Sequence, residues 1–191
     1  MNHPSVYSYQ QIVNAAFQLL RTDGWNAVTA RAIAREIGSS TMPIYSRVES
    51  INDLEKELRE RARQQLRCYQ KGCYTEDPLL NAAFGYILFA RDERFLFRFL
   101  YLDRPENLQQ GVTSVMPENF VAEFGDESAA AKALAGLDGA SQEILVRYTW
   151  IFTHGLAMLV NAGALDANSD EEILQLLTDA GEAFYLWGRR Q

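Results

Sequence analysis

The stretch Val28-Thr29-Ala30-Arg31-Ala32-Ile33-Ala34-Arg35-Glu36-Ile37-Gly38-Ser39-Ser40-Thr41-Met42-Pro43-Ile44-Tyr45 decides how this chain is read. Ile33, Ala34 and Ile37 stand at i, i+1 and i+4, which gives a short helix one apolar face. Gly38 ends that helix at a position that accepts left-handed backbone. Ser39, Ser40 and Thr41 offer hydroxyl N-caps for a second helix. Pro43 is tolerated because it falls in the first turn of that helix. Two short helices about a glycine turn match the helix-turn-helix, the motif that lays its second helix in a DNA major groove.

The flanks extend the same pattern. Residues 9–23 predict a helix with Ile12, Ala16 and Leu20 on one stripe, widened by Val13 and Phe17 and ended by Asp23-Gly24. Trp25 is expected to seal a three-helix core, Thr29 to start the second helix, and Ser40 or Thr41 the third. Ser50-Ile51-Asn52-Asp53 reads as a partial capping box. It opens a long helix whose stripe is Ile51, Leu54, Leu58, Ala62, Leu66 and Tyr69. Asp77-Pro78 restarts a helix as N-cap and first helical residue, with Leu80, Phe84, Ile87 and Leu88 inward. Arg94 to Leu102 continues helically with Phe95, Phe99 and Leu102 facing in. Residues 103–125 read as loops around a short helix, and Glu127 to Leu134 as a small alanine-rich one. Ser141 is expected to cap a helix to about Asn161. Ser169, boxed with Glu172, is expected to cap the last, to about Trp187.

Composition agrees with an all-α protein. Of 191 residues, 48% are hydrophobic and 12% aromatic, enough for a real core and against disorder. There are five prolines and no clear period-2 runs. The net charge of −7 is unevenly placed. Residues 1–71 carry ten Lys+Arg against seven Asp+Glu, or +3; residues 72–191 carry eight against eighteen, or −10. A basic segment on an acidic body suits a protein that offers one end to phosphates.

Other classes find little support. Cys68 and Cys73 give no disulfide framework and read as reduced thiols. The N-terminus has no basic segment followed by an apolar run, so no signal peptide is expected. Trp150 to Leu165 is broken by Thr153, His154 and Asn161 and is too short for a bilayer. A cytoplasmic protein with no membrane partner is expected. Asp166-Ala167-Asn168-Ser169-Asp170 begins like a calcium loop, but Glu171 stands where glycine is needed and Leu177 where glutamate is. No glycine-rich phosphate loop and no nucleophile motif appears. No cofactor, metal or catalytic residue is therefore expected.

The first fifty-odd residues resemble the TetR family of bacterial transcriptional repressors. The resemblance rests on Thr29, Ala32-Ile33-Ala34, Ile37-Gly38-Ser39-Ser40, Ile44-Tyr45 and Leu54. The chain departs from the family at Ser46-Arg47-Val48, where a residue, a histidine and a phenylalanine usually follow the tyrosine. It departs again at Ile51, where the family often has a phosphate-gripping lysine. Downstream, Trp150-Ile151-Phe152-Thr153-His154-Gly155 resembles the Trp-x-x-x-His-Gly signature of one TetR regulatory-domain subgroup.

The resemblance implies an N-terminal helix-turn-helix DNA-binding domain over residues 1–50. It implies a helical regulatory and dimerisation domain over 51–191. A homodimer would repress from a palindromic double-stranded DNA operator and release it when a small-molecule effector binds. The residue types fit such a head. Ser40, Thr41 and Met42 suit base edges. Tyr45, Arg47, Thr29 and Arg31 suit phosphates, with Ser39, Pro43 and Ser46 on the same segment. A surface this small needs a two-fold partner.

In the body, the helix from Ile144 to Asn161 is apolar on two sides and must be covered on both. With Leu176, Leu177, Ala180, Ala183, Phe184 and Trp187 of the last helix it would form a four-helix seam. Trp150, Met158, Leu176, Ala180, Ala183 and Trp187 are the expected dimer residues. Phe84, Arg91, Phe95, Phe99, Tyr148, Phe152 and His154 are the expected ligand residues. His154 reads either as a ligand contact or as a core histidine bonded within the protein. Arg91, Arg94 and Arg98 read either as an anion-binding row or as a solvated face. The aromatics read either as a pocket or as solid core. The alternative for the whole chain is an all-helical small-molecule-binding protein or enzyme with a vestigial helix-turn-helix.

Overall fold

The computed structural model describes residues 7–48, 50–103, 134, 137–165 and 169–188, and every regular element among them is helical. The loops and short helices expected over 104–133 lie outside the described residues, as do Asp166, Ala167 and Asn168 of the calcium-like loop. The helices are α1 (Tyr9–Asp23), α2 (Ala30–Glu36), α3 (Met42–Arg47), α4 (Ile51–Gln70), α5 (Pro78–Asp92), α6 (Arg94–Tyr101), α7 (Gly139–Ala162) and α8 (Asp170–Gly188). A single 3-10 turn, Trp25–Ala27, joins α1 to α2.

Most boundaries follow from local capping chemistry. Thr29 caps α2 by accepting from the Ala32 N–H at 3.1 Å, an arrangement worth about 1 kcal/mol. Ser50 caps α4 by accepting from the Asp53 N–H, and Asp77 caps α5 by accepting from the N–H groups of Leu79 and Leu80. Ser169 accepts from the Glu172 N–H at the start of α8. The start of α7 differs from expectation. Asp138 is its N-cap, accepting from the Ser141 N–H, and Ser141 lies inside the helix. Aspartate and serine are near-equal caps, and the Ser141 hydroxyl is itself engaged by the Asp138 carboxylate at 2.8 Å and the Gly188 carbonyl at 3.1 Å. The sequence also hides the capping box of α1, in which Ser8 and Gln11 bond reciprocally.

By internal contacts the chain forms two compact units. One is drawn from Met1–Gln64 and Glu93–Pro105, the other from Gln65–Asp92 and Glu106–Gln191. The first unit is built on α1, whose Ile12, Val13, Ala16 and Leu20 are fully buried. Ile33 and Ala34 of α2, Ile44 of α3, and Leu54, Leu58 and Ala62 of α4 complete the core. Helix α6 is part of it. Phe99 is fully buried and stacks on Trp25 with centroids 5.1 Å apart. The Arg59 guanidinium lies over the Phe99 ring, bonds its carbonyl at 3.1 Å and pairs with Glu55. Arg21 forks onto buried Glu93, its Nε donating at 2.7 Å. A buried carboxylate is tolerable only with such a partner.

The second unit centres on α5, whose residues 81–90 are all buried. A helix apolar on every side must be covered on every side, and α7 and α8 both pack on it. Asn161 of α7 donates to the Ala90 carbonyl at 2.8 Å in the interior. Ahead of α5, the Asn81 side chain accepts from the N–H groups of Tyr74 and Thr75 and donates to the Thr75 carbonyl. Gly85 marks the tightest approach, since a Cβ there would stand 2.2 Å from the Tyr69 carbonyl oxygen.

Two glycines should therefore respond oppositely to the same change. Gly85→Ala must push backbone from backbone and is expected to cost about 2 kcal/mol or more. Gly181 of α8 has nothing within 4 Å of a Cβ, so Gly181→Ala should stabilise by about 0.5–1 kcal/mol. Denaturant melts of the two variants check the pair.

Candidate DNA-reading face and ligand cavity

The helix-turn-helix forms as the sequence indicates. Helix α2 packs on α3, and Gly38 between them adopts φ +68°, left-handed backbone that a residue with a Cβ resists. Thr41 is the residue before α3, but its hydroxyl makes no cap. Helix α3 is sorted by face. Pro43 and Ile44 are buried, whereas Met42 is 78% and Tyr45 73% exposed.

Thr29, Arg31, Ser40, Ser46 and Arg47 are exposed, and Ser39 and Thr41 are half-buried. Residues 24–48 hold three arginines, Arg31, Arg35 and Arg47, against the single acid Glu36, or +2. All three arginines are exposed, and no ion pair engages them among the described residues.

Hydrogen-bond accounting divides the expected DNA residues further. The Ser39 hydroxyl donates to the Ser40 carbonyl and the Ser46 hydroxyl to the Pro43 carbonyl, so those protons are spent. Thr29 only accepts at its cap, which leaves its O–H free to donate outward. Ser40, Thr41 and Tyr45 have unengaged hydroxyls among the described residues. Pro43 serves packing. The outward donors are thus Thr29, Arg31, Ser40, Thr41, Tyr45 and Arg47, with Met42 the exposed apolar contact.

The second unit contains a cavity of about 350 Å³ between α5, α7 and α8. Leu79, Leu80, Leu145, Phe152, Leu177 and Tyr185 supply much of its apolar wall. Of the expected ligand residues, Phe152 lines it. Phe84 is buried in an edge contact with Tyr74, and Arg91 is engaged by Asp92 and Asp170. Tyr148 is exposed against Trp187 and Phe184. Phe95 and Phe99 pack in the other unit, with Phe95 against Gly24 and Phe99 on Trp25.

His154 is not a lining residue. Its ring stacks on Trp150 at 5.0 Å, and its Nδ1 shares a 2.9 Å hydrogen bond with the Tyr86 hydroxyl. Sequence reasoning missed the wall residues Thr149, Thr153, Thr178, Glu182 and Tyr185. Their i, i+4 spacings on two facing helices were the available signal.

The expected dimer residues also divide. Trp150 is 8% exposed and lines the cavity of its own unit, as does Ala180. Met158, Leu176, Ala183 and Trp187 are exposed, together with Tyr148, Ile151, Leu159 and Leu186.

No family model matches the chain. It is 24% identical, over 169 residues, to an uncharacterized HTH-type transcriptional regulator of Mycobacterium tuberculosis, covering 85% of this chain and 74% of that protein. Its structure is similar to the crystal structure of a TetR-like transcriptional regulator from Rhodococcus sp. RHA1. The TM-score is 0.55 and the identity 17%, and the match covers 95% of this chain and 99% of the other. The fold is that of a TetR-like transcriptional regulator.

Burial holds the His154 pKa below its ordinary value near 6.5. The unfolded chain then takes up a proton that the folded chain does not. Stability is unaffected by this group above pH ~6.5 and falls as pH drops below it. Thermal melts between about pH 7.5 and 5 should show that fall. His154→Gln, which has no proton to gain, should show a shallower one, and an equal slope would contradict the assignment.

Proposed function

We propose that this protein is a ligand-responsive transcriptional repressor that binds a palindromic DNA operator as a homodimer. The observation that carries the reading is the face of α3. A helix whose buried side is Pro43 and Ile44 presents Met42 and Tyr45 to solvent, in a segment whose three exposed arginines have no ion pair among the described residues. Thr41, Met42 and Ser40 read base edges; a thioether suits a thymine methyl and hydroxyls donate or accept. Tyr45, Arg47, Thr29 and Arg31 hold phosphates and fix register.

Residues 1–50 carry this role, and 51–191 carry regulation and pairing. The exposed apolar face of α7 and α8 supplies the subunit seam. The cavity between α5, α7 and α8 supplies the effector site. Effector binding biases the spacing of the two heads through α4, which contributes to both units. The Trp150, His154 and Gly155 pattern supports a regulatory domain of the Trp-x-x-x-His-Gly kind. The reading makes this a cytoplasmic DNA-binding protein and not an enzyme.

Fluorescence anisotropy against the DNA upstream of its own gene, at two salt concentrations, tests this. Specific, salt-sensitive binding is expected. Arg47→Ala should reduce the salt slope by about one. Tyr45→Phe should weaken binding roughly three- to tenfold with the slope unchanged. Affinity no higher than for unrelated duplex would overturn the reading.

A further inference from the structure

We propose that the cavity takes a compound with an apolar body and a positively charged end, held at Glu182, and disfavours carboxylates. This rests on the effector-site reading above. The wall is mostly aliphatic and aromatic, so the body of the ligand must be apolar. Its charged lining residues are Asp77 and Glu182, and no lysine, arginine or histidine lines it among the described residues.

Two cations on the helices of this unit are engaged elsewhere, Arg91 with Asp92 and Asp170 and Arg147 with Glu143. An anionic ligand would leave water to face two carboxylates with no compensating partner. The two acids are not equivalent. Asp77 is committed to the N–H groups of Leu79 and Leu80. Glu182 is exposed on α8, and neither an ion pair nor a hydrogen bond engages it among the described residues.

Thr153 points to a ligand independently. It is 2% exposed, lines the cavity, and its Oγ1 has no partner among the described residues. Thr178 shows the ordinary solution on the facing helix, its hydroxyl donating to the Leu174 carbonyl at 2.8 Å. A helical threonine has two accessible χ1 wells. A turn of about 120° between those wells carries the Thr153 hydroxyl to a new staggered position, so this side chain can offer a ligand its one uncommitted polar group. The site thus has a hydrogen-bonding wall at Thr153 and an anion at Glu182.

Calorimetric titration of the full chain with three probes of one shape tests the assignment: para-tert-butylbenzylamine, the matching benzyl alcohol and the matching benzoate. The amine should bind about five- to tenfold tighter than the alcohol, and the benzoate most weakly. Glu182→Gln should bring the amine to the alcohol's affinity and leave the alcohol unchanged. Thr153→Val should weaken amine and alcohol together while raising the melting temperature of the unliganded protein, because it removes an unsatisfied buried hydroxyl. Gly181→Leu places a side chain in the cavity wall without a backbone clash and should abolish all binding. Benzoate binding as tightly as the amine, or an amine preference that survives Glu182→Gln, overturns the charge assignment while the effector cavity stands. Failure of all three probes, or binding indifferent to Gly181→Leu, overturns the cavity reading as well.

Discussion

A helix of six residues has too few hydrogen bonds to hold itself in water. Helix α3 exists because Ile44 and Pro43 are seated in the core of the first unit, and everything asked of the head follows from that anchoring. With those two inward, helical geometry forces Met42 and Tyr45 outward. The left-handed turn at Gly38 sets where the helix begins, and α2, fixed by its Thr29 cap and by Ile33 and Ala34, supplies the surface it rests on. A change that loosened Ile44 would scatter the outward side chains without touching them. Burial thus acts on recognition by holding its residues in one orientation, which is also what makes so small a reading surface usable.

The second unit solves a different problem. Its central helix, α5, is buried along ten consecutive residues and is packed so closely at Gly85 that backbone meets backbone. Yet α5 also borders a cavity large enough for a small molecule. Close packing is the rule in protein interiors, so a void of this size next to such a helix is a feature the sequence maintains at some cost in stability. The buried Thr153 hydroxyl, without a partner among the described residues, adds to that cost. Both costs make sense in a protein whose stability rises when the cavity is filled.

Much of this was legible in the sequence where local chemistry alone decides the outcome. The stripe of α1, that of α4 from Leu54 to Leu66, the Thr29, Ser50, Asp77 and Ser169 caps and the left-handed Gly38 depend on residues a turn apart, and they stand as read. The start of α7 was misplaced because Asp138 and Ser141 are both good caps. In the structure Asp138 takes both the N–H and the hydroxyl of Ser141, and the hydroxyl also reaches the distant Gly188 carbonyl. The cavity wall was read less well. Aromatic residues were the visible signal, and Phe152 is in the wall, but Phe99 stacks on Trp25 and Tyr148 meets Trp187 edge-on and lies tilted against Phe184. Which helix face meets a void and which meets a neighbour is set by tertiary packing, which periodicity does not record.

The central claim is that the outward face of α3 reads a defined DNA sequence, twice, in two subunits related by symmetry. Selecting binders from a pool of random duplexes with the full-length protein measures this directly. The account predicts enrichment of a sequence made of two inverted half-sites, with the preference altered when Met42 or Thr41 is replaced. A pool that stays unenriched, or that yields one asymmetric half-site indifferent to those replacements, would contradict it.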